Sequence, residues 1–184
     1  LLVDKPGATQ TYFWLGNVGA SRTDPARTAQ DVVNTVFGGR FTSMLNTELR
    51  VKSGLSYGAG SGFSRPAQPG SFRITSFTAT ESTVPAIDLA LATLDRLHAD
   101  GLDDQALDSA RSYVLGQFPP RLETNGALAA QLNDLALYGL GREDVDGFAA
   151  RVTTVDGPTA RAAIDAAFPT SADLVMVLIG DAAR

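Results

Sequence analysis

The sequence predicts an α+β fold, a two-layer sandwich in which helices pack on a mixed, mainly antiparallel sheet. Two segments in the middle of the chain, 56–65 and 71–80, show the two-residue period of side chains that is typical of strands. They are joined by a short loop containing Pro and Gly, and together they predict a β-hairpin. An extended segment at 10–18 precedes this hairpin, and an uninterrupted apolar run lies at 174–179. Helical periodicity occupies the stretches between them. Elements mixed in this order favour one sheet with helices packed on it.

The first long strand, predicted at Gln10–Val18, carries large apolar side chains on both of its faces. Alternation places Tyr12 and Trp14 on one face and Phe13 and Leu15 on the other. Strands that are apolar on both sides are typical of sheets that are covered on both sides. We therefore expect both faces of this strand to be buried.

Two helices are predicted between this strand and the hairpin. The first begins at Asp24-Pro25, where a carboxylate N-cap precedes a proline at the first helical position, and it ends at the Gly-Gly pair 38–39. The second helix is short and includes residues 45–49. Gly54 then supplies the left-handed C′ position that commonly ends a helix, so that a strand can begin near residue 56.

The first hairpin strand has an unusual composition. Alternation places Tyr57 on the same face as Ala59, Ser61 and Phe63, while the opposite face carries only Ser and Gly. Such a face weakens a strand unless another part of the structure approaches its backbone closely. Two explanations remain open: a helix packs tightly against the glycine face, or the face leaves room for another chain.

Four or five helices are predicted between the hairpin and the last strand. Capping residues mark the start of four of them: Ser82 or Thr83, Asp103, Thr124 and Asp156. A further short helix is predicted around 144–150. The final apolar run, 174–179, has the length of a strand and predicts a central strand that is buried on both faces.

The length and charge of the chain narrow its class. A chain of 184 residues fits one domain, which we assign to residues 1–184. The net charge is −5 and no basic run is present, so nucleic acid is not an expected partner. No apolar run approaches the ~20 residues that a membrane span needs. The chain begins within a strand, without an initiator Met or a basic leader, so we expect it to be a fragment of a longer protein.

The chemical groups of the chain argue against catalysis by this chain alone. A hydrolytic zinc site normally takes three protein ligands, mostly His and carboxylates, and the sequence contains one histidine, His98. The zinc-binding motifs H-E-x-x-H and H-x-x-E-H each need two histidines, so neither occurs in this sequence. There is no cysteine and no G-x-S-x-G pattern to supply a nucleophile. We expect no catalytic residue and no metal site in this chain, and we assign His98 a structural role.

Arg50 and Tyr57 are the candidate binding residues. Arg50 falls in the last turn of the short predicted helix and Tyr57 at the start of the next strand, on either side of one tight corner. A guanidinium fork and a phenol at one corner can bind a peptide carbonyl or a carboxylate. The alternative is purely structural, with Arg50 paired to Glu48 or Asn46 at the surface and Tyr57 packed on the sheet.

These two residues belong to a longer pattern. Residues 38–57 read G-G-x-F-x-S-x-L-x-x-x-L-R-x-x-x-G-L-x-Y, where x is any residue. This string resembles the second, zinc-free domain of the pitrilysin/insulinase-type zinc metallopeptidases, a family that includes the mitochondrial processing peptidases. Further similarity occurs at 3–10, 15–16, 24–25, 70–72 and 178–181, so the resemblance extends over nearly the whole chain.

The resemblance implies the C-terminal, inactive domain of a metalloendopeptidase. Arg50 and Tyr57 would hold the peptide substrate opposite a zinc ion that is bound by a partner domain or a catalytic partner subunit, and this chain itself would bind no cofactor. An alternative within the same family is a scaffold relative without a peptidase role, like the core proteins of a respiratory complex. Relatives of this compact length favour a bacterial, exported parent. The compartment, the substrate preference and the oligomeric state stay open.

Overall fold

The computed structural model describes residues 1–183. Its strands are β1 Leu2–Asp4, β2 Gln10–Val18, β3 Ser56–Ser64, β4 Ser71–Ala79 and β5 Val175–Gly180. They form a five-stranded sheet in the order β1-β5-β2-β4-β3. β1 is parallel to β5, and the other neighbouring strands are antiparallel. The predicted α+β sandwich on a mixed, mainly antiparallel sheet is confirmed.

The helices of the described residues occupy the stretches between the strands. Their bounds are α1 Arg27–Asn34, α2 Met44–Asn46, α3 Thr83–Asp100, α4 Asp104–Gly116, α5 Asn125–Tyr138, α6 Glu143–Asp146, α7 Phe148–Thr153 and α8 Gly157–Ala167. Two π-helical turns, Thr35–Gly39 and Thr47–Lys52, extend α1 and α2. None of these helices has the length and hydropathy of a membrane span.

The first helix begins later than predicted. The Asp24 carboxylate accepts a hydrogen bond from the Ala26 amide at 2.7 Å, so it caps the turn that leads into α1, and α1 itself begins at Arg27. The single helix predicted around 144–150 is divided into α6 and α7. Three of the other predicted caps, Asp103, Thr124 and Asp156, each accept a hydrogen bond from a backbone amide of the helix that follows. The fourth prediction, a side-chain cap from Ser82 or Thr83, is wrong: Ser82 precedes α3 without a capping hydrogen bond, and the Thr83 hydroxyl donates to the Thr80 carbonyl at 2.7 Å.

The core lies between the sheet and the helices that cover one of its faces. From the sheet, Phe13 and Leu15 of β2 and Phe72 and Ile74 of β4 are fully buried. The Phe72 ring lies 5.0 Å, centroid to centroid, from the ring of Phe168, which follows α8. The helices contribute buried apolar residues to the same cluster, among them Val32, Val33, Leu94, Leu97 and Ile164. Removal of these side chains from water stabilises the two layers.

The opposite face of the sheet is left open by the described residues. Tyr12 is 44% and Trp14 is 37% exposed, and Val175 is also exposed. The predictions that 10–18 and 174–179 are buried on both faces are therefore wrong for this chain. Alternation shows only that a face is suited to burial, and the helices of this chain pack on one face.

The edge strand β3 departs from simple alternation. Ser56 pairs with Thr78 and Ala59 pairs with Ser76, so β3 has one residue more than β4 between these pairs, which is a β-bulge at 57–58. Ser56 and Ala59 therefore share the covered side of the sheet, and Tyr57 projects to the open side. The prediction that Tyr57 and Ala59 lie on one face is wrong because the bulge shifts the alternation by one residue.

The glycine face of β3 also lies on the open side of the sheet. A Cβ atom built at Gly62 would meet nothing within 4 Å, but one built at Gly60 would lie 3.2 Å from the carbonyl oxygen of Gly38. Of the two explanations for this face, close packing of a helix therefore holds at Gly60, and the face is open at Gly62. The end of the first helix also approaches the edge of the strand. There a Cβ at Gly38 would lie 2.2 Å from Ser61 Oγ, and Asn34 Nδ2 donates to the Ser61 carbonyl at 3.1 Å. The end of the first helix thus covers the middle of this edge.

Candidate functional site

A cleft of about 580 Å³ lies where the open side of the sheet meets the segment that follows the first helix. Residues 38–41 line one part of it, and the bulge of β3 lines another. Arg50 and Tyr57 both line this cleft, so the structure brings the two predicted residues together. Further aromatic residues line it: Tyr12, Trp14, Phe77 and Tyr113.

The Arg50 guanidinium lies between two aromatic rings. Its Cζ atom is 4.7 Å from the ring centroid of Phe41 and 4.7 Å from that of Tyr57. Phe41 is 62% exposed and Tyr57 is 75% exposed. Cation–π contacts at exposed sites are worth ~0.5–1 kcal/mol each. The Arg50 guanidinium makes no side-chain hydrogen bond within residues 1–183, so beside these two contacts its N–H donors are available to a ligand.

The alternative pairing of Arg50 is not found. Glu48 accepts hydrogen bonds from Lys52 Nζ and Arg96 Nη2, each at 2.9 Å. The hydrogen bond from Lys52, and after it the one from Arg96, lowers the pKa of the Glu48 carboxyl, although its burial opposes the shift. In the part of the chain that the structure describes, no carboxylate pairs with Arg50. A cation in this position is suited to an incoming carbonyl or carboxylate.

Asn46, which sequence reasoning passed over as a functional residue, connects the two halves of the site. Its Nδ2 atom donates to the carbonyl of Phe41 at 2.6 Å, and its Oδ1 atom accepts from the amide of Ala59 at 3.3 Å. Asn46 is itself buried. It therefore fixes the segment that carries Phe41 relative to the bulge that carries Tyr57, and so sets the gap in which Arg50 lies.

Two serine hydroxyls complete the bulge. Ser56 Oγ and Ser76 Oγ lie 2.8 and 3.0 Å from the Gly58 carbonyl oxygen and 2.8 Å from each other. The Gly58 amide donates to Ser56 Oγ at 3.1 Å. The polar backbone groups that the bulge removes from the ladder are thus bonded to side chains. No local pattern in the sequence signals this role, because Ser76 comes from the neighbouring strand.

Arg40 is a second cation of the cleft that sequence reasoning missed. Its Nη1 atom donates to Ser109 Oγ at 2.9 Å, and its Cζ atom is 5.9 Å from the ring centroid of Tyr113. Its Nε atom is buried and has no hydrogen-bond partner among residues 1–183. Because Arg40 and Arg50 line the cleft and no described Asp or Glu does, the cleft is positively charged. The only signal in the sequence is the position of Arg40 inside the G-G-x-F motif.

Metal-ligating groups do not converge within the described residues. No group of three or more His, Asp and Glu side chains there could hold a metal ion. His98 Nε2 lies 3.2 Å from the carbonyl oxygen of Pro169, within hydrogen-bonding distance, and this contact joins the end of α3 to the segment after α8. A single histidine in this setting does not fit a zinc site.

The described residues thus form an α+β sandwich with a positively charged, aromatic cleft and no converging set of zinc ligands. A family model described as the peptidase M16 inactive domain matches residues 1–114. The chain belongs to this family. The resemblance to the pitrilysin/insulinase-type peptidases that the motif of residues 38–57 indicated is confirmed.

Two relatives agree with this assignment. An uncharacterized zinc protease of Streptomyces coelicolor is 31% identical over 153 residues, which are 83% of this chain and 33% of the relative. The crystal structure of a peptidase M16 inactive domain from Pseudomonas fluorescens superposes with a TM-score of 0.91 at 25% identity, over 98% of this chain and 42% of that one. The chain therefore spans less than half the length of either relative.

A chain of complex III from Candida albicans has the same fold. It superposes with a TM-score of 0.81 at 13% identity, over 98% of this chain and 45% of that chain. At this identity the likeness is one of fold alone. One fold can serve several functions, so function must be argued from the site.

Proposed function

We propose that this chain is the substrate-binding, non-catalytic domain of a zinc-dependent metalloendopeptidase, in which Arg50 and Tyr57 hold the peptide backbone. The observation that carries the proposal is the Arg50 guanidinium, which is stacked between Phe41 and Tyr57 beside an open cleft. Two findings support it: the chain belongs to the M16 inactive-domain family, and its Streptomyces relative is named a zinc protease.

A peptide carbonyl is the group that this arrangement fits best. Arg50 offers N–H donors in a planar fork, and the hydroxyl of Tyr57 adds a donor from the other side of the corner. Because stacking already restricts both side chains, less conformational entropy is lost when a peptide binds. Donors held in place near a carbonyl also stabilise the negative charge that develops on its oxygen during peptide-bond cleavage.

The zinc ion and the general base would come from a partner domain or subunit. The open face of the sheet supports such a partner, because Tyr12, Trp14 and Val175 are exposed there. Exposed apolar faces of this kind mark surfaces that another protein unit covers. In such an assembly the cleft would lie between the two units, with Arg50 and Tyr57 on one side and the zinc ion on the other.

Cleavage of a peptide by the parent enzyme, or by this chain reconstituted with its zinc-domain partner, tests the proposal. Arg50→Lys keeps the charge but loses the fork, and Tyr57→Phe loses only the hydroxyl. We expect each change to lower kcat/KM by an amount equivalent to ~1.5–4 kcal/mol, with an unchanged melting temperature. The double variant should lose less than the sum of the single losses, because both residues act on one bound peptide.

The control is Arg96→Lys. Arg96 lies outside the cleft and pairs with Glu48, close in the chain to Arg50, so this variant should keep the wild-type kcat/KM. The proposal is wrong if the Arg50 and Tyr57 variants cleave the peptide as well as this control does. It is also wrong if their activity falls only in proportion to the fraction of folded protein.

A scaffold role is the second candidate, and the exposed apolar residues on the open face of the sheet favour it, because neighbouring units of an assembly could cover them. A scaffold needs the open face of the sheet but not the free donors of Arg50. A parent that lacks H-x-x-E-H, shows no peptidase activity and assembles normally with Arg50→Lys would be a scaffold. If the parent contains H-x-x-E-H and its peptidase activity depends on Arg50, the first candidate function, the substrate-binding domain of a metalloendopeptidase, holds.

A further inference from the structure

A second cavity, of about 290 Å³, lies on the helical side of the sheet and shares no lining residue with the cleft. Helices α1, α5, α6 and α7, strand β3 and connecting segments contribute to it. Three aspartates line it, Asp31, Asp134 and Asp144. Five arginines also line it: Arg22, Arg27, Arg65, Arg121 and Arg151. Its lining therefore carries two more positive charges than negative charges.

One carboxylate serves three of these guanidinium groups. Asp144 accepts hydrogen bonds from Arg22 Nη2, at 3.1 Å, and from Arg27 Nη2. Arg151 Nη2 lies 3.5 Å from the same carboxylate. Arg22 also donates to Asp134 at 2.7 Å. The acidic groups on this side of the cavity are thus shared among the arginines and do not neutralise all of them.

The remaining positive charge includes one half-buried guanidinium group, that of Arg151, and one exposed group, that of Arg121. Arg151 Nε is buried and has no hydrogen-bond partner among the residues that the structure describes. Arg121 lines the cavity and has no ion-pair partner within residues 1–183. The pKa of Arg27 is lowered, first by burial and then by the nearby charges of Arg22 and Arg151. Buried cations are unfavourable without equal compensation, and a bound anion would supply both negative charge and hydrogen-bond acceptors.

We propose that this cavity binds a phosphate dianion, either free or as the terminal group of a phosphomonoester. Phosphate brings up to two negative charges near neutral pH, which matches the excess in the lining, whereas a carboxylate brings one. Its oxygens also suit the forked donors of several guanidinium groups. The rings of Phe118 and Phe148, stacked with centroids 4.3 Å apart, form an apolar part of the wall beside the arginines. An apolar group attached to the phosphate could pack there.

Isothermal titration calorimetry of the full parent chain tests the site, with inorganic phosphate and phenyl phosphate as probes and chloride keeping the ionic strength constant. We expect saturable binding that Arg121→Gln weakens by at least about tenfold. Arg121 is exposed and unpaired among the described residues, so its replacement leaves the Asp144 network in place. Tighter binding of phenyl phosphate would identify a phosphomonoester as the ligand, and equal binding would identify free phosphate.

Arg142→Gln is the matched control. It makes the same change in net charge, but Arg142 is exposed, pairs with Asp146 and does not line the cavity, so the affinity should stay at the wild-type value. Bound phosphate should also raise the melting temperature of the wild type above its value in chloride. The proposal is refuted if neither probe gives saturable heat, or if Arg121→Gln and Arg142→Gln weaken binding equally. Either result would leave the arginines a structural network only.

Discussion

Gly38 lies in the π-helical turn that ends the first helix, where this turn touches β3. A Cβ atom at this position would lie 2.2 Å from Ser61 Oγ, 2.5 Å from the Ser61 amide nitrogen and 2.8 Å from Ser61 Cβ. A hydroxyl can rotate away, but a backbone nitrogen cannot. Gly38→Ala must therefore move the helix end away from the strand. Overpacking of this kind costs ~1–3 kcal/mol.

The intrinsic preference of the backbone acts in the opposite direction. Alanine is favoured over glycine in a helix by ~1 kcal/mol. A clash with a backbone atom falls in the upper part of the overpacking range, ~2–3 kcal/mol, so we expect a net loss of ~1–2 kcal/mol in the free energy of unfolding for Gly38→Ala. Gly62→Ala is the control. Gly62 lies in β3, the strand that Gly38 touches, but a Cβ atom at Gly62 would meet nothing within 4 Å, so this change should be neutral or slightly stabilising. Urea denaturation gives both values. A Gly38→Ala variant as stable as the wild type would refute the close approach.

Two further predictions concern the residues that support the cleft. Asn46→Ala leaves the Ala59 amide without its acceptor and should lower the free energy of unfolding by ~1–3 kcal/mol, which urea denaturation checks. Asn46→Asp keeps an oxygen acceptor but loses the Nδ2 donor to the Phe41 carbonyl and buries a charge, so it should lose at least as much. Hydrogen bonds from Lys52 and then Arg96 lower the pKa of the Glu48 carboxyl. The ionised Glu48 side chain therefore stabilises the folded protein fully above the ordinary glutamate pKa of ~4.3, and this stabilisation is lost as the pH falls through the lowered pKa. The stability difference between wild type and Glu48→Gln should therefore shrink on acidification, and a difference that is constant with pH would contradict the pairing.

The sequence by itself determined the elements of the fold and the location of the candidate site. Alternation located β2, and Gly54, with a φ of +68°, follows the second helix where the C′ position was predicted. A single histidine left too few ligands for a zinc site. Arg50 and Tyr57 could be assigned to one corner because a helix end and a tight turn separate them. Each of these features depends on residues that are close along the chain.

Only the tertiary structure decided which side of the sheet these residues use. The bulge shifts the two-residue period of β3, so Tyr57 faces the open cleft, and the shift depends on a serine of the neighbouring strand and on Asn46. Which face of β2, the strand that contains Trp14, stays open depends on the side of the sheet on which the helices pack. Arg22 and Asp144 meet across 122 positions of the chain. Such contacts arise from the packing of whole elements, and a local pattern of apolar and polar residues contains no information about them.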